Sequence, residues 1–178
     1  MDLTQYQSKN MEEYKHYMRP EGKGLKLHLG CGDYWFEGYI NIDLGVYGGT
    51  DILWDLNKGI PFQSKTVEII EMYDVLEHFG KEEAERLVDE FNRVLIPGGR
   101  VRLSVPDIET VVEVFKDDND KMLHHIYGIN SGDTHKYGYF RKSLAKLFID
   151  HGFSEALATK GELEERVGEP KIILEAIK

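Results

Sequence analysis

Gly30, Gly32 and Asp43 are the residues of this chain whose types and spacing point most directly to chemistry. A Gly-x-Gly turn lets the main chain fold back tightly and approach a ligand where a Cβ would intervene. A carboxylate ending the next strand can accept hydrogen bonds from both hydroxyls of a ribose. Leu25, Leu27 and Leu29 alternate before the turn as a short buried strand does, and the apolar run after it ends on Asp43. This is the layout of a nucleotide-binding βαβ unit. His78 and His135 are the candidates for moving a proton, because the unperturbed imidazole titrates near neutrality. For His78 the favoured reading is structural, packing the loop between a strand and a helix. His135 follows Gly-Asp-Thr and precedes Tyr137, Tyr139 and Phe140, where a catalytic and a loop-fixing role are equally open.

The turn itself selects among nucleotides. A dinucleotide fingerprint requires a third glycine, and Trp35 stands there; its acid comes about 20 residues on, whereas Asp43 is thirteen after Gly30. Both departures argue against NAD. Leu27-His28-Leu29-Gly30-Cys31-Gly32 instead resembles the first motif of the class I S-adenosylmethionine (SAM) dependent methyltransferases, with His28 where an acid is frequent. Thr50 to Phe62, with its Pro-Phe, is similar to the segment that carries the third strand of that family. Val67 to Phe79 resembles the strand and "VLEH" of its small-molecule branch, and Arg93 to Asp107 its Pro-Gly-Gly turn and fifth strand. Four motifs in the family's order cover roughly the first hundred residues, and His135 to Phe153 extends the likeness more weakly.

The resemblance implies an α/β, Rossmann-like, doubly wound sheet of seven mostly parallel strands in the order 3-2-1-4-5-7-6, with the last strand antiparallel. It also implies roles. His28, Gly30, Cys31 and Gly32 form the cofactor turn, the two glycines admitting the methionine portion. Asp43 takes the ribose, Asp55 the adenine amino group, the Leu56 backbone completes the adenine contact, and Tyr73 flanks the methyl. SAM is the implied cofactor and a small polar molecule the acceptor, in the range of sugars and natural-product or glycan precursors, with O-methylation slightly favoured. Two other classes remain open: a degenerate methyltransferase-fold interaction module, suggested by His28 and a shortened crossover, and an NAD(P)-dependent reductase, disfavoured by Trp35.

These residues need elements to hold them. Lys81 to Leu95 reads as a helix, with Ala84, Leu87, Val88, Phe91 and Val94 at three- and four-residue steps and acids outward, stopped by Pro97, Gly98 and Gly99. Between Asp43 and Asp55 there are too few residues for a helical crossover, so the second crossover is expected to be shortened. The third strand is expected to end at Asp55 and Leu56, and 154–160 with 171–178 to form the final antiparallel pair. Residues 1–20 are expected to form a helical arm or lid, with Tyr6, Tyr14, Tyr17 and Met18 at the site mouth, or equally a solvated, partly disordered arm, and 21–178 a single domain.

Composition narrows the function classes. With 178 residues, 41% hydrophobic and 30% charged, the chain can bury a sizeable core, and a net charge of −10 opposes a nucleic-acid partner. No apolar run suits a membrane span or a signal peptide, so a cytoplasmic protein is expected. Cys31, between two glycines, reads as a small turn residue rather than a nucleophile. No metal is expected: Asp107 and Asp133 with His135 are the ligand set to weigh, but Asp107 fits a helix N-cap ahead of Ile108, Val111, Val112 and Phe115. His124 and His125 are adjacent and make a poor ligand pair on a helix.

Overall fold

The computed structural model describes residues 24–129, 134–161 and 169–178. Among the described residues there are seven strands: β1 (Leu25–Leu29), β2 (Ile40–Asp43), β3 (Ile52–Leu53), β4 (Val67–Tyr73), β5 (Leu95–Pro106), β6 (Glu155–Gly161) and β7 (Lys171–Ile177). They form one sheet in the order β3-β2-β1-β4-β5-β7-β6. β1 to β5 pair in parallel, and β7 runs antiparallel to both β5 and β6. The expected strand order and antiparallel last strand are therefore observed. The expected arm, 1–20, lies outside the described residues.

The central strands are apolar on one face and carry His28, Asn41, Glu71, Tyr73 and Arg102 on the other. Leu27, Leu29, Ile42, Ile70, Met72 and Leu103 are all fully buried. Four helices are described: α1 (Lys81–Val94), α2 (Ile108–Val114), α3 (Asn119–Tyr127) and α4 (Arg141–Asp150). The helical spacing read in α1 has its physical counterpart, since Ala84, Leu87, Val88, Phe91 and Val94 are its buried residues. Its first turn is closed by Glu83, whose carboxylate accepts from Gly80 N–H at 2.7 Å. Phe91 meets Phe148 of α4 with ring centroids 6.3 Å apart, and Phe148 meets Phe153 at 5.0 Å, joining the two helices over the sheet.

Three boundaries differ from expectation. α1 passes directly into β5 at Leu95, with Pro97 to Gly99 inside the strand, because Lys65 and Thr66 N–H already bond the Arg93 and Val94 carbonyls and start the sheet pairing there. β3 ends at Leu53, and Asp55 instead caps a 3₁₀ turn, Leu56–Lys58. The connection from β1 to β2, residues 30–39, contains no helix, so the glycine turn does not open a βαβ crossover helix. A loop covers that part of the sheet instead: Phe36 stacks on His28 of β1 at 4.2 Å between centroids and 8° between planes. The second connection, 44–51, is likewise without a helix, as its length demanded.

The segment between β3 and β4 is fastened by one arginine. Arg93 on α1 donates from Nη1 to the Phe62 carbonyl at 2.8 Å and from Nη2 to the Ile60 carbonyl at 2.9 Å, while Nε donates to Glu90 at 2.6 Å. Glu90 in turn accepts from Ile60 N–H at 2.8 Å and holds the arginine charge in place. Replacing Arg93 with Leu is expected to lower unfolding stability by about 1.5 to 3 kcal/mol, the usual worth of hydrogen bonds to a charged group. Urea unfolding checks this, and an unchanged midpoint would show that the clamp is dispensable.

Candidate functional site

The carboxyl ends of β1, β2 and β4 open into a cleft of about 1450 Å³. This is where ligands bind in open parallel sheets, outside the strand ends at the point where strand order reverses. Among the residues lining it are His28, Gly30, Gly32, Asp43, Asp55 and Tyr73, and also Cys31, Leu56, His78 and His135. The cofactor-site and proton-transfer candidates singled out in the sequence thus line one cleft.

Gly30 and Gly32 both have positive φ, +69° and +51°, which favours glycine. They differ in what surrounds them. A Cβ on Gly30 would fall 2.2 Å from a Val75 methyl, whereas one on Gly32 would meet nothing within 4 Å, so the chain at Gly32 presents bare backbone to open space. Gly30 and Cys31 N–H both bond the Ile42 carbonyl, at 2.8 and 3.2 Å, seating the turn against β2.

Asp43 joins two turns. Its carboxylate accepts from Gly32 N–H at 2.9 Å and from Gly45 N–H at 2.8 Å, one on each oxygen. Each oxygen keeps a further acceptor direction, so the group can brace the loops and still take two hydroxyls. Asp55 accepts from Asn57 N–H at 3.0 Å and Asn57 Nδ2 at 3.1 Å through Oδ1. Cys31 is buried, with its Sγ 3.7 Å from Thr50 Oγ1, and burial pushes its thiol up, which disfavours the thiolate a nucleophile needs.

His28 and Tyr73 form an aromatic floor with Phe36. Tyr73 stands edge-on to both rings at 6.1 and 6.0 Å. Its hydroxyl donates to Glu71; burial and that carboxylate raise the Tyr73 pKa, and burial raises that of Glu71. His28 Nδ1 lies 3.2 Å from Asn41 Oδ1, and burial lowers its pKa. Asn41 itself escaped the sequence reading. Its Oδ1 also accepts from Phe36 N–H at 2.9 Å, and its Nδ2 donates to Phe36 and Tyr39 carbonyls and to Asp51. A polar residue between Ile40 and Ile42 in a strand with both faces covered was the available signal.

The 3₁₀ turn Leu76–His78 follows β4, capped by Val75, which borders Gly30. Glu77 is 1% exposed, and its carbonyl accepts from Lys136 and Tyr137 N–H at 2.7 and 3.2 Å, tying that later segment to the turn. His78 and His135 are half-buried, with rings edge-to-face 5.1 Å apart. Asp107 belongs elsewhere: fully buried, it caps α2, accepts from Thr110 Oγ1 at 2.8 Å and pairs with Arg141, so the Asp107–His135 set does not form. Asp133 lies outside the described residues. At the start of β7, buried Lys171 reaches Asp74 at 3.0 Å and Glu169 at 3.2 Å and contributes a cation to the cleft wall that the sequence reading did not single out.

A family model described as a methyltransferase domain matches residues 49–103, from the end of the second connection into β5. No curated protein sequence matches the chain. The fold is similar to a SAM-dependent methyltransferase from Methanosarcina mazei, with 15% identity, a TM-score of 0.61, and 92% of this chain and 95% of that one covered. A SAM-dependent methyltransferase from Archaeoglobus fulgidus aligns with 13% identity, TM-score 0.62 and coverage of 99% and 97%. Magnesium protoporphyrin IX methyltransferase from Synechocystis, solved with bound S-adenosylhomocysteine (SAH), aligns with 18% identity, TM-score 0.56 and coverage of 98% and 82%. At these identities the likeness establishes the Rossmann-like methyltransferase fold. With the family match, it supports a SAM-dependent methyltransferase. No helix among the described residues is long and apolar enough to cross a membrane.

The lowered pKa of His28 gives a pH dependence with a definite sign. The unfolded chain takes up a proton near pH 6.5 and the folded one only below that, so the native state loses stability as pH falls through about 6.5 towards 5. His125, also lowered by burial, adds in the same direction. The substitution His28→Gln keeps a donor for Asn41 and removes the titration. Its melting temperature is expected to fall less between pH 7 and 5 than that of the parent; equal slopes would remove His28 as a source.

Proposed function

We propose that this protein transfers the methyl group of SAM to a small polar acceptor, with a hydroxyl oxygen as the favoured acceptor atom and sugars or natural-product precursors as the favoured class, in the cytoplasm. The observation that carries the reading is the Asp43 carboxylate, held between Gly32 and Gly45 N–H at the mouth of the glycine turn in the 1450 Å³ cleft. Gly30 and Gly32 admit the methionine portion, Asp43 accepts from the ribose hydroxyls, and Asp55 with the Leu56 backbone takes the adenine edge. Tyr73, Phe36 and His28 provide an aromatic wall beside the sulfonium, whose positive charge is attracted by π faces.

SAM brings both the reactive methyl and a good leaving group, so the protein's contribution is position and electrostatics. Holding acceptor and methyl in line at about 3 to 3.5 Å supplies much of the acceleration. His78 and His135, which line the same cleft, would act on the acceptor. His28, which favoured an inactive interaction module when read as a motif defect, is accounted for by its packing on Phe36 and its bond to Asn41.

Two measurements test the reading. Asp43→Ala is expected to weaken SAH binding by about ten- to a hundredfold, equivalent to the 1.5 to 3 kcal/mol of a charged hydrogen bond. Retention of affinity within a factor of two would show that Asp43 is not the ribose acid. Incubation with methyl-labelled SAM and a panel of small hydroxylated and amino compounds is expected to label a hydroxyl acceptor. Labelling of amines alone would overturn the oxygen preference.

A further inference from the structure

Glu77, His78 and His135 converge at the acceptor end of the cleft although they lie far apart in the chain. One ligand-capable atom from each lies within 4.8 Å of the other two. In a tetrahedral set with bonds of about 2.1 Å such atoms stand about 3.4 Å apart, so small side-chain rotations suffice to close on an ion. The scaffold already holds them together, since the Glu77 carbonyl accepts the N–H groups of Lys136 and Tyr137, next to His135.

The histidines are also set in the form that ligates metals. His78 Nδ1 lies 3.1 Å from the Thr134 carbonyl, and His135 Nδ1 lies 3.0 Å from the His125 carbonyl. A carbonyl can only accept, so each Nδ1 carries a proton and Nε2 is the nitrogen that would ligate. Metal-bound histidines are commonly oriented in this way, by a carbonyl or carboxylate on the other ring nitrogen. Two imidazoles and one carboxylate suit zinc and other divalent first-row ions, whereas magnesium and calcium prefer all-oxygen sets. A cation here would also set positive charge against a carboxylate that is 1% exposed.

We propose that Glu77, His78 and His135 bind one divalent transition-metal ion of the zinc class, and that its open positions take the hydroxyl of the methyl acceptor. The inference rests on the methyltransferase reading for the second clause only. A hydroxyl bound to such an ion loses its proton to solvent at lower pH than a free one. Its oxygen then forms a bond to the SAM methyl carbon as the sulfur–methyl bond breaks, and the electron pair of that bond stays on sulfur as the neutral thioether of SAH.

The test uses the full chain freed of metal with a chelator that is then removed. Titration with cobalt(II), followed by its visible absorption, and with zinc(II), followed by calorimetry, is expected to saturate at one ion per chain. Glu77→Gln, His78→Ala and His135→Gln are each expected to weaken binding by about tenfold or more. Circular dichroism melts identify any variant that fails to fold, and Glu77→Gln, which preserves shape, keeps the test available if His78→Ala does. Absence of stoichiometric binding, or binding unchanged in folded variants, would overturn the site. SAH binding measured on the same metal-free sample separates the two readings: metal without SAH leaves the ion site and removes the methyltransferase, and SAH without metal does the reverse.

Discussion

The cleft depends on a carboxylate that ends one strand and holds the loops leaving two. Without a helix after β1 or β2 among the described residues, nothing regular supports the turns 30–39 and 44–51, and Asp43 bonds an N–H from each. Its position follows from the sheet, since β1 and β2 are parallel and in register from Leu27 with Ile40 to Leu29 with Ile42. The turn after β1 and the end of β2 are thereby adjacent. A carboxylate at that junction satisfies main-chain donors that a crossover helix would otherwise have engaged.

Behind this brace, polar groups buried in the sheet do the work of a missing packing layer. Asn41 engages Phe36, Tyr39, Asp51 and His28, and Phe36 is thereby held flat on His28. Buried polar groups are costly unless fully bonded, and a network this complete fixes one loop conformation. The rigid floor it gives the cleft is a condition for aligning a methyl with its acceptor, whose reaction tolerates little misplacement. The other wall is held differently, by main-chain bonds from 136 and 137 to Glu77.

Much of this was legible in the residues. The apolar runs, the glycine turn and the four ordered motifs carried the sheet order, and the short spacing from Asp43 to Asp55 announced a crossover without a helix. Gly30-Cys31-Gly32 did not reveal the missing first helix, because the same turn precedes a helix or a loop and only packing on His28 distinguishes them. Pro97 to Gly99 read as a break after α1, yet strand pairing begins before them, at Leu95 with Val67. Glu77 passed as one acid of the Val-Leu-Glu-His segment, since burial of a single carboxylate has no signature in local spacing. Its meeting with His135 depends on a segment that returns only after α3. Asp107 was read correctly as a cap, and its pairing with Arg141, far along the chain, is a tertiary fact.

The central claim is that the braced glycine turn is a SAM site, and calorimetric titration of the purified chain with SAH, with NADH in a parallel cell, tests it most directly. Saturable binding of one SAH per chain with no heat from NADH is the predicted result. NADH binding in its place, or no binding of SAH at concentrations well above those of the chain, would contradict the account.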